Sequence, residues 1–409
     1  MTHDTDILIV GGGLNGPSLA LACAQAGLRS IVIDRLSTAK RADEGFDGRS
    51  YALALASQRL LGALGIWQKV AEHAQPILHI VTSDGRAGQG PVWPFAMHFD
   101  HGEIDEGVMG YLLEDRYLRG ALLDAIDANP LIEQRSEETV VAQEITGVGA
   151  SVTLASGDVL TGAQLVGADG RQSGVGMRAG IQRTGWDYDQ TALVCAVEHE
   201  LPHNGTAHQF FMPNGPLAIL PLPGNRSSIV WSEDPTQARH IAALDDEGFL
   251  DALRPRFGDF LGEIKLAGKR FSYPLNLTMA NHTVKPRIAL IGDAAQGVHP
   301  IAGQGFNQGL ADVATLTQVL AEARRRGEDI GSLLVLDRYR QWRSFDRAAL
   351  ALAMDAVNRL FSNDNPLLRF GRSLGMGVID AMPGLRRRFI REAAGVSGDI
   401  PNLLKGRPA

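Results

Sequence analysis

Cysteine is scarce in this chain, since Cys23 and Cys195 are the two cysteines among 409 residues. They lie far apart, and neither belongs to a CxxC pair or lies near a histidine cluster. Disulfide-stabilised domains and cysteine-based zinc sites need several closely spaced cysteines. The sequence therefore excludes a disulfide scaffold, gives no signal for a metal site and is typical of a reducing compartment.

Long apolar runs and a surplus of positive charge are also missing. No apolar run reaches the roughly 18 residues that a bilayer-spanning helix needs, and residues 1–6 lack the basic start of a signal peptide. There are 46 acidic against 39 basic residues, whereas nucleic-acid-binding proteins normally carry a basic surplus. We therefore expect a cytoplasmic protein with no nucleic-acid partner, in contact with a membrane at most from its inner face.

A glycine-rich turn follows the first apolar run. Asp6–Val10 predicts a short buried strand, and Gly11–Gly16 (GGGLNG) follows it at once. A predicted helix over Ser18–Ala26 and a second predicted strand over Ser30–Asp34 come next. Strand, glycine turn, helix and strand in about 30 residues form the setting in which GxGxxG binds a dinucleotide.

Each position of this motif has a physical role. Gly11 permits the tight turn, Gly13 lets the backbone approach a pyrophosphate, and Gly16 lets the helix lie close to the strand. The helix N-terminus offers free N–H groups to phosphate. Asp34, which ends the second strand, can accept hydrogen bonds from ribose hydroxyls and would repel a 2′-phosphate. The motif thus predicts FAD or NAD, and disfavours NADP, at this site.

Two further turn motifs follow apolar strands later in the chain. Asp169-Gly ends one of these strands, and Gly292-Asp293 ends another. The run His299–Gly309 (HPIAGQGFNQG) comes next, and a long helix is predicted to start near Gly305. The positive end of that helix dipole would favour negative charge on a ligand beside it.

These three motifs, in this order and at these separations, resemble those of the class A flavoprotein monooxygenases, the group that includes p-hydroxybenzoate hydroxylase. The run His299–Gly309 is similar to the signature of the ubiquinone-biosynthesis hydroxylases, and so are Gly215–Pro221 and Gly395–Pro401. Many of these relatives have His where this chain has Gln296. In having glutamine at that position, the chain resembles the branch that hydroxylates 2-polyprenyl-6-methoxyphenol. The resemblance leaves open which ring carbon is attacked.

The resemblance implies an α/β fold with a Rossmann-like FAD-binding domain, an inserted antiparallel β-sheet substrate domain and a C-terminal helical segment. Short strands with Gly, Pro and Asn in their turns, between about residues 190 and 275, support the inserted sheet. The expected FAD-binding domain comprises residues 1–76, 112–186 and 279–360. The expected substrate domain comprises residues 77–111 and 187–278, and residues 361–409 form the C-terminal segment.

The resemblance also implies which residues hold FAD. Asp293 would accept hydrogen bonds from the ribityl chain, and Arg49 and Arg116 would contact the pyrophosphate and ribityl regions. Each of these arginines has an alternative role as a surface or ion-pairing residue. The full expected set is Gly11, Gly13, Gly16, Asp34, Arg49, Arg116, Asp169, Gly292, Asp293, Gly303, Gln304, Gly305 and Asn307.

The expected substrate side is less specific. Phe210, Met212, Leu220 and Trp231 would line an apolar pocket for a lipid-tailed ring, or else form the ordinary core of the sheet. His299 beside Pro300 would lie near the reactive part of the flavin and take part in catalysis, or else would bind a loop carbonyl.

The implied activity is hydroxylation of the aromatic ring of a polyprenylated phenol in ubiquinone biosynthesis, with O₂ and a flavin C4a-hydroperoxide. A second GxGxxG is not visible, so NAD(P)H is expected as a transient electron donor, with a protein reductase as the alternative. Other ubiquinone-biosynthesis proteins are expected as partners. The alternatives are a hydroxylase of a soluble aromatic substrate, a flavin reductase of polyprenyl chains and a non-catalytic FAD-bound adaptor of a biosynthetic complex.

The segment from Pro366 to Ala409 is basic, with eight Lys or Arg residues against three acidic ones. Apolar residues from Leu367 to Met382 recur at roughly helical spacing. A basic amphipathic segment can lie on an anionic bilayer, where a polyprenyl substrate would be found. The alternative is an ordinary helix that packs on the FAD-binding domain.

Overall fold

The computed structural model describes residues 3–43, 45–46, 48–86, 90–91, 96–297, 304–361 and 382–409. Their strands form three sheets. The strands are, in chain order, β1 (Thr5–Val10), β2 (Ser30–Asp34), β3 (Ser50–Ala54), β4 (Gln75–Ile77), β5 (His79–Arg86), β6 (Gly90–Pro91), β7 (Met97–Asp100), β8 (Gly110–Glu114), β9 (Ile132–Ser136), β10 (Val140–Ile145), β11 (Ala150–Leu154), β12 (Val159–Gly167), β13 (Arg183–His199), β14 (Thr206–Met212), β15 (Gly215–Leu222), β16 (Arg226–Glu233), β17 (Ile264–Leu266), β18 (Phe271–Ala280), β19 (Val284–Lys285), β20 (Ile288–Leu290) and β21 (Gln296–Gly297).

The helices connect these strands and complete the chain. They are α1 (Asn15–Gln25), α2 (Thr38–Arg41), α3 (Leu55–Ala63), α4 (Trp67–Val70), α5 (Asp115–Asp127), α6 (Gly174–Arg178), α7 (Pro235–Ala242), α8 (Asp246–Phe257), α9 (Gln304–Arg325), α10 (Leu333–Phe361) and α11 (Pro383–Ala393). A short 3₁₀ turn, Gly292–Ala294, lies between β20 and β21.

The first sheet is built around the N-terminal βαβ unit. Its strands β9, β2, β1, β12 and β20 are parallel, and β10 and β11 extend it in antiparallel fashion. Ile7 and Ile9 point to one face and pack with the apolar residues of α1, α9 and α10. Leu8 points to the other face and packs with β10 and β11. Because successive side chains of a strand alternate between faces, one apolar run is buried on both sides.

The second sheet has the order β21-β18-β13-β16-β15-β14-β5-β6, with β17 on β13 and β7 on β5. Helices α7 and α8 cover one face of it and share an apolar core with β13 to β16. The N-cap carboxylates Asp234 and Asp245 accept backbone hydrogen bonds that start these two helices. A third, small sheet, β3-β8-β4, completes the fold.

The pairing of β14 with β5 departs from a purely antiparallel substrate sheet. These two strands are parallel, with Thr206 opposite His79 and Phe211 opposite Asp84. Parallel neighbours need a long crossover connection, and here the chain passes through the first sheet between β5 and β14. Within the predicted segment 77–111, β5 and β7 pair in the second sheet, whereas β4 and β8 pair with β3.

The longest strands run across two of the predicted domain boundaries. Strand β13 begins at Arg183 and β18 ends at Ala280, and these two residues pair with each other. The boundaries at 187 and 278 therefore fall inside continuous strands, and the division into domains stays a prediction. Among the helices of the described residues, none is both long enough and apolar enough to cross a bilayer.

Candidate functional site

The glycine turn after β1 has two positions at which a Cβ would overlap backbone atoms. Gly11 has φ +112°, and a Cβ there would overlap the carbonyl oxygen of Ala168 at the end of β12. A Cβ on Gly16 would overlap the carbonyl oxygen of Gly11. Gly13 differs, because a Cβ there would meet no atom within 4 Å. The turn therefore packs tightly at Gly11 and Gly16, whereas the space in front of Gly13 is open. A phosphate bound at the start of α1 needs such an open space.

Asp34 lies beside this turn at the end of β2. Its Oδ2 accepts a hydrogen bond from the Gly12 N–H at 2.6 Å, and its Oδ1 accepts one from the Leu36 N–H at 2.8 Å. A carboxylate has about four acceptor positions, so ribose hydroxyls can still bind to it. Arg41 donates from Nη1 to the Gly12 carbonyl at 3.2 Å. Burial lowers the pKa of Arg41, and the charge of Asp34 opposes that shift.

A cationic pocket of about 140 Å³ opens next to Arg41. Five cationic and two acidic side chains contribute to its lining, so it suits an anionic ligand such as a pyrophosphate. The predicted ligands Arg49 and Arg116 are both among the lining residues. The lining consists of Leu36, Lys40, Arg41, Asp43, Gly45, Phe46, Arg49, Asp115, Arg116 and Arg119.

The two predicted arginines are held differently. Arg49 is 51% exposed, and its Nη2 lies 3.6 Å from Oδ2 of Asp115. Arg116 donates from Nε to the buried Glu114 at 2.8 Å, and its guanidinium lies 4.6 Å from the ring centre of Tyr117. Arg116 is therefore anchored by the protein, whereas Arg49 presents much of its side chain to the pocket.

The Gly292–Asp293 turn contacts the first motif through the side-chain amide of Asn15. Gly292 has φ +57°, and a Cβ there would overlap the side chain of Asn15, in the first turn of α1. A Cβ on Gly309, in α9, would overlap the same side chain. The predicted convergence of the first and third motifs is present in the fold. Asp293 is 42% exposed, and its Oδ2 lies 3.2 Å from Nε of Arg171.

The carboxylate of Asp169 stabilises the loop that follows it and leads into α6. Its Oδ1 accepts a hydrogen bond from Oγ of Ser173 at 2.5 Å, and its Oδ2 accepts one from the Val175 N–H at 3.0 Å. These bonds fix the start of α6. Because Gly11 packs on the backbone of Ala168 and Asp169, the second motif also lies against the first.

The start of α9 contains one buried and one open position. Asn307 is buried, its Oδ1 accepts hydrogen bonds from the Ala54 N–H and the Ser57 hydroxyl, and its Nδ2 donates to the Ala52 carbonyl. Its side chain therefore joins α9 to β3 and α3. A Cβ on Gly305 would meet no atom within 4 Å, so the open side of this turn is there. Gln304 begins the helix, and Gly303, His299 and Pro300 lie outside the described residues.

Unpartnered buried polar atoms provide a test of whether a polar cofactor fits here. Oδ1 of Asn15 and both amide atoms of Gln296 are buried without a hydrogen-bond partner, and Gln296 is only 6% exposed. Buried polar groups normally have partners. Together with the open sides of Gly13 and Gly305 and the cationic pocket, these atoms fit a bound dinucleotide such as FAD.

Comparisons with known proteins agree with this fit. Residues 4–352 match the FAD binding domain family. The chain belongs to this family. It is 43% identical over 406 residues to ubiquinone hydroxylase UbiL of Rhodospirillum rubrum, which covers 98% of this chain and 93% of that protein. It is 35% identical to 3-demethoxyubiquinol 3-hydroxylase of Escherichia coli, over 96% of this chain and 99% of that protein.

Solved structures show the same fold. The p-nitrophenol 4-monooxygenase PnpA of Pseudomonas putida superposes with a TM-score of 0.79 at 17% identity, over 97% of this chain and 99% of that one. Aklavinone-11 hydroxylase, in a complex with FAD and aklavinone, superposes with a TM-score of 0.69 at 21% identity, over 88% and 70% of the two chains. The expected fold class is confirmed, and the chain is an FAD-dependent monooxygenase of the ubiquinone hydroxylase family.

The substrate residues expected in this FAD-dependent monooxygenase do not share one face of the sheet. Phe210, Met212 and Trp231 are buried in the core that α7 and α8 cover. Leu220 points the other way and packs with Phe46, Ile77 and other residues of a separate cluster. The structure therefore assigns Phe210, Met212 and Trp231 to sheet core, the alternative role, because helices cover the face on which they lie.

The face of the second sheet opposite α7 and α8, to which Leu220 also points, carries further side chains that sequence reasoning missed. Ala192, Val194 and Leu275 are buried there, with Tyr188, Val230 and Phe271 packed against them. Tyr273, opposite Ala192 on the neighbouring strand, is 40% exposed. Burial raises the pKa of Tyr273, against a lowering effect of Arg171. The alternation of Phe271, Tyr273 and Leu275 along β18 is the sequence pattern from which this shared face could have been predicted.

Proposed function

We propose that this FAD-dependent monooxygenase hydroxylates the aromatic ring of a polyprenylated phenol, a precursor of ubiquinone. The observation that carries the proposal is full-length similarity to a ubiquinone hydroxylase, combined with three glycine turns that converge on one site. FAD, when bound, supplies the oxygen-transfer chemistry with O₂. The protein binds the cofactor, orients the ring and keeps water away from it.

The face of the second sheet opposite α7 and α8 favours a neutral, apolar ring. Its described side chains around Ala192 are aliphatic or aromatic, with the hydroxyls of Tyr188 and Tyr273 as polar groups. The nearby Arg171 is paired with Asp293, so its charge is compensated. An apolar wall whose hydrogen-bonding groups are neutral hydroxyls suits a phenol with an apolar tail better than an aromatic acid.

Isotope incorporation tests this function. Purified enzyme with FAD, a reductant and a short-chain polyprenyl phenol should place one atom from ¹⁸O₂ in the ring of the product. The matched control uses ordinary O₂ in H₂¹⁸O, and its product should carry no label. Label recovered only in water or peroxide would overturn the proposal, and turnover of aromatic acids alone would favour the soluble-substrate alternative.

NAD(P)H is the electron donor that we propose, with transient binding. Anaerobic mixing of the yellow enzyme with NADH or NADPH should bleach the flavin, and added phenol should change the rate. A protein reductase becomes the better hypothesis if neither nucleotide bleaches the flavin while dithionite does.

We also propose that α11 contacts an anionic membrane surface. Arg386 and Arg391 pair with Glu103 and Glu106 and hold this helix on the protein. Arg387, Arg388 and Phe389, between them, are exposed. Cations beside an exposed aromatic side chain are typical of interfacial helices. The predicted apolar stripe from Leu367 lies mostly outside the described residues.

Liposome co-sedimentation tests the membrane contact. The double variant Arg387→Glu/Arg388→Glu should lose binding to vesicles with phosphatidylglycerol, and the parent should not bind pure phosphatidylcholine. Arg239→Glu/Arg254→Glu, on α7 and α8, makes the same change of charge elsewhere and should retain binding. Equal binding by both double variants would refute a role for α11.

A further inference from the structure

A buried ion cluster lies against the Gly292–Asp293 turn. Oδ1 of Asp312, in α9, accepts hydrogen bonds from Nε of Arg343 at 2.8 Å and from Nη2 of Arg347 at 2.7 Å, both in α10. Its Oδ2 accepts the Gly292 N–H at 3.0 Å. Asp312, Arg343 and Arg347 are each more than nine-tenths buried. We call these three residues the Asp312 cluster.

Further hydrogen bonds join the cluster to the first turns of α9 and to the end of β20. Arg343 donates from Nη2 to Oε1 of Gln308 at 2.6 Å, close to the start of α9. Arg347 donates to the hydroxyl of Tyr339, which itself donates to the Leu290 carbonyl at 2.8 Å. The cluster therefore holds the end of β20, the Gly292 turn and the first turns of α9 in one relative position.

The cluster sets one buried carboxylate against two buried guanidiniums. Burial opposes the cationic form of Arg347, but Asp312 and Tyr339 raise its pKa above the usual value. Asp346 also pairs with Arg343, at 2.9 Å, but its side chain is 57% exposed, so water screens it. The buried part carries one net positive charge, and such a charge acts strongly where water is excluded.

We propose that the Asp312 cluster positions the Gly292–Asp293 turn for FAD and sets the reduction potential of the bound flavin through its net positive charge. Reduced flavin carries more negative charge than oxidised flavin, so a nearby buried cation favours reduction. The three side chains act through the hydrogen bond to the Gly292 N–H and through their electrostatic field. They are therefore positioning residues.

Two variants of opposite charge change separate this role from a merely structural one. Asp312→Asn removes a negative charge and should raise the potential of the purified holoenzyme, measured by dye equilibration. Arg347→Met removes a positive charge and should lower the potential. Both should weaken FAD binding to the apoprotein about tenfold, because a charged hydrogen bond near the turn is lost.

Three further variants serve as controls. Asp346→Asn makes the same charge change on the exposed partner of Arg343 and should leave the potential and the FAD affinity unchanged. Arg347→Lys keeps the charge and should retain most of the parent potential. Gln308→Leu, which keeps every charge of the cluster, should weaken FAD binding without a change in potential, and it remains informative if a charge variant does not fold.

The signs of the shifts decide the outcome. Opposite shifts in Asp312→Asn and Arg347→Met, with little shift in Asp346→Asn, would support the proposal. Shifts of the same sign, or a parent-like potential in both variants, would overturn the electrostatic role. Parent-like FAD affinity in Gln308→Leu and Asp312→Asn would overturn the positioning role. Each of these readouts is independent of which phenol the enzyme hydroxylates.

Discussion

The side chain of Asn15 lies against Gly292 and occupies the space that a Cβ at that position would need. This contact joins the first turn of α1 to the turn after β20, and so holds the first and third glycine motifs against each other. Gly309 faces the same amide from α9. A single polar side chain thus sets how closely three elements approach one another.

Gly292→Ala should be more harmful than a glycine replacement at an equally unusual backbone angle. Gly292 has φ +57°, and a Cβ there would overlap the side chain of Asn15. Gly65 has φ +74°, and a Cβ there would meet no atom within 4 Å. We expect Gly65→Ala to destabilise the protein by about 1 kcal/mol and Gly292→Ala by about 2–4 kcal/mol. Denaturant unfolding of the apoproteins measures both, and equal losses would argue against the clash.

Gly13→Ala should separate cofactor binding from folding. The space in front of Gly13 is open, while Gly16 packs on the Gly11 carbonyl. Gly13→Ala should therefore leave apoprotein stability within about 0.5 kcal/mol and weaken FAD binding, because a Cβ would enter the space expected for the pyrophosphate. Gly16→Ala should reduce both stability and binding. A fluorescence titration of FAD supplies the affinity, and unchanged affinity in Gly13→Ala would contradict this placement of the pyrophosphate.

Asn307→Ala should reduce stability even without FAD. The variant would leave the Ala52 carbonyl, the Ala54 N–H and the Ser57 hydroxyl without their buried partner. An unsatisfied buried group costs about 1–3 kcal/mol, so the total loss should exceed that of a surface change. Asn402→Ala, whose position the structure leaves half-buried, is a milder control. A loss seen only in the presence of FAD would instead assign Asn307 to direct cofactor binding.

His208 should make stability depend on pH below neutrality. Burial, followed by the charge of His98, lowers the pKa of His208 to about 4, while the unfolded value is near 6.5. The unfolded state therefore binds more protons between these values, and stability should fall by up to about 3 kcal/mol as pH drops from 6.5 to 4.

His208→Phe tests this dependence. The ring of His208 packs 4.5 Å from that of Phe260, so phenylalanine keeps an aromatic contact and removes the titrating group. The stability of the variant should change less between pH 6.5 and pH 4 than that of the parent. At pH 7.5 the two proteins should differ only through packing. Identical pH profiles would show that another group causes the acid sensitivity.

The parts of the fold that sequence reasoning predicted are those fixed by local sterics. The strands at Asp6–Val10 and Ser30–Asp34 and the glycine turn between them follow from apolar runs and from positions without room for a Cβ. The later turn at Gly292 could be predicted for the same reason. The start of α9 near Gly305 could be predicted because apolar periodicity marks the helix.

Other features depend on partners that are distant in the sequence. Alternation along β14 shows that Phe210 and Met212 share a face, but it does not show that α7 and α8 cover that face. Arg41 follows a lysine in a short polar helix and so has the pattern of a surface residue, although it binds the Gly12 carbonyl. The partnership of Asp312 with Arg347 arises only when α9 and α10 pack together.

The parallel pairing of β14 with β5 restricts how this enzyme can recombine with its relatives. A chimera that exchanged only residues 183–280 would set a foreign β14 against the resident β5, and the register from Thr206 to Phe211 would have to match by chance. Exchange of β5 and β7 together with β13 to β18 would preserve that edge. Substrate preference should therefore be transferred between homologues by two separate segments moved at once.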